Sequence, residues 1–510
     1  MILTVDRPGF SSSITGFDFF FNKRIWFVQN SIPAFLWAVV ICLLGTSVSA
    51  QQTTDQKNSL AEASGDPVEV SSAEIQEPSG TVEMELADAV QAASRAANNA
   101  WMMTAAALVL FMTAPGLALF YGGLVRQKNV LSVMMQCIYL MGMMTLLWAI
   151  CGYSFAFGGE GAFFGNLDHL FMNGVALQNR VAPGGEIPDL TFMVFQGMFF
   201  IITPALICGA FAERMKFSTM VVFSVLWGVL VYCPLCHWVW AESGILYYGG
   251  PNAWFGGAID FAGGTVVHMS SGFSALVVSL LIGNRIGFGS DDMRPHNLAF
   301  SAIGAAMLWV GWFGFNAGSA GASNDIAANA FVVTHFSAAA GAFAWASIEW
   351  FSRGKPSILG TASGAVAGLV CITPASGCVH PMPAILMGLL AGIACYFACG
   401  IVKRAFGYDD SLDAFGIHGV GGILGAILIG FFASQDVGDA NGLIYSASEG
   451  WPLMVGQLVA VGVTLVYSVG MTWLLVLFLK KTIGLRVDEK SEIRGLDITE
   501  HGEEGYIFNR

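Results

Sequence analysis

Charged residues are scarce in this chain of 510 amino acids: Asp, Glu, Lys and Arg together make up 11% of the sequence. A soluble globular chain averages about 25% charged residues, so this chain has too few to cover a water-facing surface. Hydrophobic residues account for 55% of it. The composition excludes an ordinary soluble protein and predicts an integral protein of the lipid bilayer.

Basic clusters, cofactor motifs and metal-binding patterns are also lacking. The formal net charge is −13, and no basic cluster indicates a nucleic-acid partner. The ten cysteines are scattered, mostly in apolar segments, where cysteine behaves as a small hydrophobe. Cys233 and Cys236 form a C-x-x-C, but in a hydrophobic segment rather than beside the βαβ unit typical of redox motifs. We expect no cofactor, no metal and no enzymatic activity.

The N-terminus has the order of residues found in a secretory signal. Lys23 and Arg24 precede an apolar run over 32–44 and the small residues 48–50, which predicts cleavage after Ala50. An uncleaved membrane helix is the alternative, although the run is short for a span of about 20 residues. Residues 51–98 are acidic, rich in Ser and Gln, and without aromatics. They are expected to form a disordered or weakly helical leader.

Eleven further segments are apolar over the length of about 20 residues that a bilayer requires. They run approximately over residues 101–124, 129–153, 190–212, 217–240, 259–283, 297–318, 327–352, 356–376, 380–402, 412–434 and 454–479. The pattern predicts an all-α transmembrane domain over residues 99–483, followed by a tail over 484–510.

Lysine and arginine in the connections predict the orientation of the spans. Alternate connections and the tail carry the basic residues, whereas the intervening connections hold only Arg180. The mature N-terminus is therefore expected outside and the tail in the cytoplasm. A cleaved signal followed by eleven spans requires the same orientation.

Two histidines lie inside hydrophobic spans with no charged partner nearby in sequence, His268 in the fifth and His418 in the tenth. Ionisable groups at membrane depth are costly and by default mark a path for ions, protons or substrate. The fifth span opens with Asp260 and the tenth opens near Asp413, and both are rich in glycine. Because the two spans are five helices apart, the second copy must be inverted, as in many transporters with a site near the midplane.

A neutral imidazole offers one hydrogen-bond donor and one acceptor, and it exchanges protons readily near neutral pH. Two such rings facing one lumen would present a donor or acceptor to a small polar solute in a tube otherwise lined by carbon. Two alternatives remain open at this point. The histidines can bond to helix carbonyls in a packed core, or they can bind haem or copper, although two imidazoles without a third ligand make a poor metal site.

Aromatic residues near the outer ends of spans form a candidate entry site. Trp240 ends the fourth span, Phe199 lies in the third, and Phe315 and Ser319 lie toward the outer end of the sixth. A cation over aromatic faces gains about 0.5–2 kcal/mol, with Trp the best face. The alternative is the aromatic belt found at membrane interfaces.

Several segments that contain these residues resemble the ammonium transporter (Amt/Mep/Rh) family, and they are most similar to its bacterial Amt branch. They are DFAGGTVVH (260–268), GWFGFNAGSAG (311–321), FGIHGVGG (415–422), GAFAERMKFS (209–218), ITPASG (372–377) and the tail GLRVDEKSEIRGLDITEHGEEGY (484–506). The resemblance covers about Trp101 to Tyr506. It implies eleven transmembrane helices, N-out and C-in, as an inverted five-helix repeat plus a last long helix, in a homotrimer with one pore per subunit.

The resemblance also implies roles for individual residues. Trp240, Phe199 and Ser319 match the external ammonium recruitment site, with Asp260 as the acid that supports it. Phe199 and Phe315 match a stacked phenylalanine gate.

Four further residues match the pore. His268 and His418 match its twin histidines, Thr373 matches a residue near the outer site, and Trp312 matches one along the pore wall. Two features depart from the pattern: the Trp240–Asp260 connection is several residues longer than in relatives, and the acidic leader is extra. Both concern the outer vestibule.

The expected function is ammonium transport for nitrogen uptake across a bacterial inner membrane. Ammonium would be recruited outside and deprotonated, and ammonia would cross a hydrophobic pore while the twin histidines relay the proton. The tail is similar to one that meets PII-type regulators. Two alternatives are an ammonium sensor and a passive ammonia channel; the tail ends soon after Tyr506 without an output domain, which favours transport over sensing.

Overall fold

Eleven helices long and apolar enough to cross a membrane lie in the part of the chain that the computed structural model describes, residues 80–177, 179–182 and 185–507. In chain order, α1 to α11 are Met84–Leu124, Gln127–Phe157, Asp189–Phe211, Phe217–Trp240, Gly264–Ile282, Leu298–Gly318, Asp325–Arg353, Ile358–Ala375, Pro381–Phe406, Phe415–Phe432 and Ala447–Thr482. The predicted number of spans is confirmed. The proposed signal peptide, residues 1–50, lies outside the described residues, as do residues 51–79 of the leader.

The later part of the leader, for which the sequence predicted disorder or weak helicity, is helical. A single α-helix runs from Gly80 to Phe111 and continues into the rest of α1. Alanine, glutamate, methionine and leucine dominate its first half, and these are strong helix formers. Because the adjoining apolar segment is already helical, each added residue extends an existing helix and avoids the cost of nucleation. Where the leader meets the apolar segment, Asn98 and Asn99 anchor the helix: their side-chain oxygens accept hydrogen bonds from Ser323 N (3.0 Å) and Thr191 Oγ1 (2.6 Å), respectively.

Outside the spans, the described chain contains a short hairpin and a folded tail. Strands β1 (Asn179–Ala182) and β2 (Gly185–Pro188) pair antiparallel, with Asn179 opposite Pro188. Single 3₁₀ turns occupy Leu170–Met172 and Trp254–Gly256. The tail forms the short helix α12 (Glu489–Arg494) and a π-helical turn at Asp497–His501.

The spans that carry His268 and His418, α5 and α10, begin alike. Each opens with a π-helical turn, Gly264–Met269 in α5 and Phe415–Gly419 in α10, and each turn contains the histidine. Single π-turns inside α-helices often occur at functional sites. The matching starts support the fold that the sequence predicted, an inverted repeat of five helices followed by the long α11.

The position in the second half that corresponds to Asp260 is Asp410, three residues before Asp413, near which the tenth span was expected to open. Asp410 precedes His418 by eight residues, as Asp260 precedes His268. Its carboxylate accepts the backbone N–H of Phe415 at 2.7 Å, so it holds the start of α10. The Asp413 carboxylate instead accepts a hydrogen bond from the side chain of Lys403 on α9.

Glycine allows α5 and α10 to cross closely. A Cβ atom added at Gly272, one turn after His268, would overlap the backbone nitrogen of Gly419, next to His418. Small residues at such a crossing are the usual basis of helix packing in lipid. The crossing therefore brings the two histidines to the same depth. Both spans are largely buried, whereas α9 and α11 are the most exposed.

Candidate functional site

Three aromatic rings lie in contact, one below the other, inward from the outer end of α4. The Trp240 ring lies 5.5 Å from that of Phe199 at an interplanar angle of 79°, and the Phe199 ring lies 4.4 Å from that of Phe315. Trp240 is half-buried, whereas the two phenylalanines are 1% and 0% exposed. The phenylalanine pair therefore lies behind an aromatic surface that solvent reaches.

Ser319 lies beside this aromatic group and is also half-buried. Its hydroxyl donates to the carbonyl of Phe315 at 2.9 Å. The oxygen keeps its acceptor capacity, since a hydroxyl carries one proton and two lone pairs. Aromatic faces attract a cation, and a free acceptor such as this oxygen suits a cation that donates hydrogen bonds.

Asp260 acts through the backbone around it. Its buried carboxylate accepts backbone N–H bonds from Gly263 (3.0 Å), Gly264 (2.5 Å), Thr265 (2.9 Å) and Val266 (3.1 Å), and a further bond from the Thr265 hydroxyl. A carboxylate at a helix N-terminus is favoured by the helix dipole. The main-chain oxygen of Asp260 accepts the Trp240 indole N–H at 2.8 Å, so one residue fixes both the outer tryptophan and the start of α5.

His268 and His418 face each other in the interior. Their Nδ1 atoms are 3.3 Å apart, and their rings are tilted by only 15°. A hydrogen bond between them requires one neutral ring to carry its proton on Nδ1 and the other to carry its proton on Nε2. The side chains are 1% and 4% exposed, and His268 Nε2 has no hydrogen-bond partner among the described residues. Neither ring bonds to a helix carbonyl in that part of the chain, unlike the arrangement that the packed-core alternative describes.

A narrow cavity contains both histidines below the phenylalanines. It is lined by His268, His418, Phe315 and Trp312, and its other eight lining residues are Met, Leu, Ile, Val or Phe. The centre of a water-sized molecule can move within about 10 Å³ of this cavity. That volume is close to the minimum needed to hold one water. The imidazoles are its main polar groups, so it can hold one small neutral hydrogen-bonding molecule at a time.

Trp312 and Thr373 form one wall behind His268. The Trp312 ring is stacked 5.4 Å from the His268 ring, and its indole N–H donates to Thr373 Oγ1 at 2.8 Å. Thr373 is fully buried and in turn donates to Leu369 O at 2.7 Å. Thr373 therefore positions Trp312, and the Trp312 ring in turn packs against His268.

Sequence reasoning missed two residues. The hydroxyl of Thr265 completes the bonds to Asp260, and Asp410 holds the start of α10. The signal for Asp410 was present, since the eight-residue spacing from aspartate to histidine occurs in both halves. Among the described residues, no group of three or more His, Cys, Asp or Glu is placed to hold a metal ion.

Comparison with known proteins shows the family. Residues 100–506 match the model of the Ammonium Transporter Family. An ammonium transporter of Bacillus subtilis (strain 168) is 43% identical over 407 residues, which cover 78% of this chain and 96% of the relative. One of Aquifex aeolicus (strain VF5) is 44% identical over 411 residues, covering 80% and 93%.

Solved structures agree with this result. The crystal structure of Saccharomyces cerevisiae Mep2 matches with a TM-score of 0.70 and 34% identity, covering 77% of this chain and 88% of that one. A structure titled "Sensor Amt Protein" matches with a TM-score of 0.72 and 28% identity, covering 80% and 99%. The resemblance seen in the sequence motifs is thereby confirmed, and the chain belongs to the Ammonium Transporter Family.

Proposed function

We propose that this protein is an ammonium transporter that binds ammonium at its outer face and conducts ammonia through the histidine-lined cavity. The observation that carries the proposal is the pair of imidazoles, 3.3 Å apart, in an otherwise apolar cavity beneath a closed phenylalanine pair. Trp240, Phe199 and Ser319 would bind the cation, and Asp260 would hold Trp240 through its main-chain oxygen and add negative potential.

Deprotonation follows from the cost of burying charge. Moving an intact monovalent ion into a dry medium costs about 20 kcal/mol in the idealised Born limit, before relaxation. Ammonium avoids this cost by leaving its proton at the outer site and entering as neutral ammonia. Potassium has no proton to leave, so the same constriction rejects it.

The two histidines complete the reaction. Ammonia accepts and donates hydrogen bonds, and the unpartnered His268 Nε2 offers a buried partner of either kind. The proton released outside passes separately along the imidazole pair, with each ring accepting on one nitrogen as it releases from the other. Ammonia and proton recombine at the inner face, so that one positive charge crosses for each ammonium taken up.

The proposal extends to assembly and location. We propose a homotrimer in a bacterial inner membrane, with residues 1–50 removed as a signal peptide and a PII-type protein as partner of the cytoplasmic tail. The bacterial relatives and the multi-pass fold support this location. The described tail packs against the inner ends of the spans, where a soluble partner can reach both: Asp497, for example, accepts the Ser132 N–H at 2.8 Å.

An ammonium sensor is the second candidate, because one similar solved structure is titled a sensor Amt protein. A sensor would bind ammonium at the same outer site without sustained flux. A passive ammonia channel would show flux without charge movement.

The test is an ammonium pulse on the purified protein in liposomes, recorded as current on a solid-supported membrane. We expect a current that saturates with ammonium concentration and is absent with potassium and in empty liposomes. Ammonium binding without current or flux would favour the sensor, and flux without current would favour the passive channel. A potassium current of similar size would contradict the proposed mechanism.

A further inference from the structure

Asp410 occupies the same position in the second half of the repeat as Asp260 in the first, but its carboxylate is not saturated. Both oxygens of Asp260 are engaged by the five donors described above. Asp410 Oδ2 accepts the Phe415 N–H, whereas Oδ1 is buried and has no hydrogen-bond partner among the described residues. Both oxygens of the outer aspartate are therefore occupied by donors, whereas the inner aspartate has one oxygen free to take a proton.

The loop that carries Asp410 lies at the inner end of α3. Leu412 N donates to Gly209 O at 3.0 Å, and Gly209 lies less than one turn beyond Leu206, which lines the cavity. Asp410 itself is 1% exposed. Between Asp410 and His418 the chain runs through a short non-helical segment and then enters the first turn of α10, Phe415–Gly419. Asp410 is thus placed below the cavity, on the side where ammonia would leave.

Charged and titratable groups surround Asp410 on several elements. The ammonium of Lys403 on α9 bonds to the Asp410 carbonyl (2.5 Å) and to Asp413 Oδ1 (2.8 Å). Tyr121 of α1, Cys399 of α9, Tyr408 of the same loop and Arg214 of the α3–α4 connection also interact with its charge. None of them bonds to Oδ1.

The balance of these neighbours leaves Asp410 titratable near neutral pH. Burial raises the pKa of its carboxyl to about 6; Lys403 opposes this effect, and the like charge of Asp413 adds to it. The carboxyl is therefore ionised at ordinary cytoplasmic pH and becomes protonated on moderate acidification.

We propose that Asp410 is the inner electrostatic residue of the transport reaction: its carboxylate stabilises ammonium as it re-forms at the inner mouth, and its protonation slows transport. Asp410 acts through its charge and through the start of α10, without contact with the ammonia. The inference rests on the proposed function and adds a residue to it. It also gives transport a dependence on cytoplasmic pH.

The test compares Asp410→Asn with the unchanged protein in liposomes at equal pH on both sides. Asparagine resembles the protonated acid and can still accept the Phe415 N–H. We expect the ratio of variant to unchanged ammonium current to be near one at about pH 5, below the pKa of about 6, and to fall by roughly five- to tenfold at about pH 7.5. A unit charge acting over a distance of about 12–15 Å at an effective dielectric constant of about 20 produces an effect of this order.

A ratio that stays constant with pH would overturn the proposal, as would a folded variant that carries no current at either pH. Asp413→Asn is the matched control, since asparagine tolerates the left-handed backbone at that position (φ 60°). It should keep a pH-dependent current. If Asp413→Asn lost the pH dependence of the current while Asp410→Asn kept it, the titrating carboxylate would be Asp413, and the proposal would be overturned. If the unchanged protein gave no ammonium current, the proposed function itself would fail.

Discussion

Asp260 concentrates more hydrogen bonds on one carboxylate than any other residue of the candidate site. Four backbone N–H groups and one hydroxyl converge on its two oxygens. Hydrogen bonds to a charged group contribute about 1.5–3 kcal/mol each, and a buried donor left without a partner costs about 1–3 kcal/mol. The carboxylate therefore maintains the shape of the outer site through its hydrogen bonds, in addition to any effect of its charge.

Asp260→Asn should destabilise the protein by roughly 3 kcal/mol or more, because the amide nitrogen cannot accept the N–H bonds that one carboxylate oxygen now accepts. The measurement is the thermal unfolding midpoint in detergent together with the ammonium current. We expect both to fall. An unchanged midpoint with a lost current would assign Asp260 a role in charge alone and would contradict its structural role.

At the residue scale, sequence motifs located most of the site. Trp240, Phe199, Phe315 and the two histidines lie together in the structure. The histidines drew attention in the sequence because ionisable residues are rare at membrane depth. Asp410 was missed because Asp413 lies closer to the apparent start of the tenth span. Only the structure shows that α10 begins at Phe415 and that its first N–H points to Asp410.

At the element scale, the crossing of α5 and α10 fixes the distance between the imidazoles. Gly272 and Gly419 are in backbone contact at this crossing. Close packing makes added volume costly, at about 1–3 kcal/mol for an extra methylene group in a filled core. A side chain at the crossing would separate the helices and lengthen the Nδ1–Nδ1 distance.

Gly272→Ala should therefore reduce the ammonium current strongly and lower the unfolding midpoint. Gly462→Ala in α11 is the matched control, since a Cβ atom there meets nothing within 4 Å and alanine favours a helix over glycine. The control should keep its current and its stability. Equal currents in both variants would show that the close crossing does not matter for transport.

Element boundaries were harder to predict from sequence than element number. Hydrophobic runs of sufficient length located all eleven spans, because a bilayer sets the length that a helix needs. Composition predicted a disordered or weakly helical segment over residues 51–98, and residues 80–98 form one continuous helix with the first span. The composition of a segment does not reveal that it extends a neighbouring helix or that its last residues bond to distant connections.

At the scale of the whole molecule, a buried charge cluster joins the inner connections. Glu213 bonds to Arg126 (2.8 Å) and Arg285 (3.2 Å), and Arg285 also bonds to Asp409 (2.8 Å). These residues come from four different connections between spans. Burial disfavours the charge of Glu213, but Arg285 and Arg126 outweigh it and hold the pKa of this carboxyl below its usual value.

Glu213→Gln should destabilise the protein by about 3–5 kcal/mol near neutral pH, since it leaves buried guanidinium groups without their counter-charge. A lowered carboxyl pKa contributes stability above the unfolded value of about 4.3, and this contribution is lost as pH falls through the folded pKa. The midpoint difference between variant and unchanged protein should therefore shrink below about pH 4. Asp292→Asn, which breaks an exposed ion pair with Arg294, should have no measurable effect. A difference that stays constant with pH would contradict the electrostatic account.

The most direct test of the central claim, that the histidine pair passes ammonia and its proton, is the ammonium current of His268→Ala. His335→Ala is the matched control, because His335 lies within the span α7 but is exposed and outside the cavity. We expect His268→Ala to abolish the saturable current in liposomes and His335→Ala to leave it unchanged. An undiminished current in folded His268→Ala protein would contradict the account.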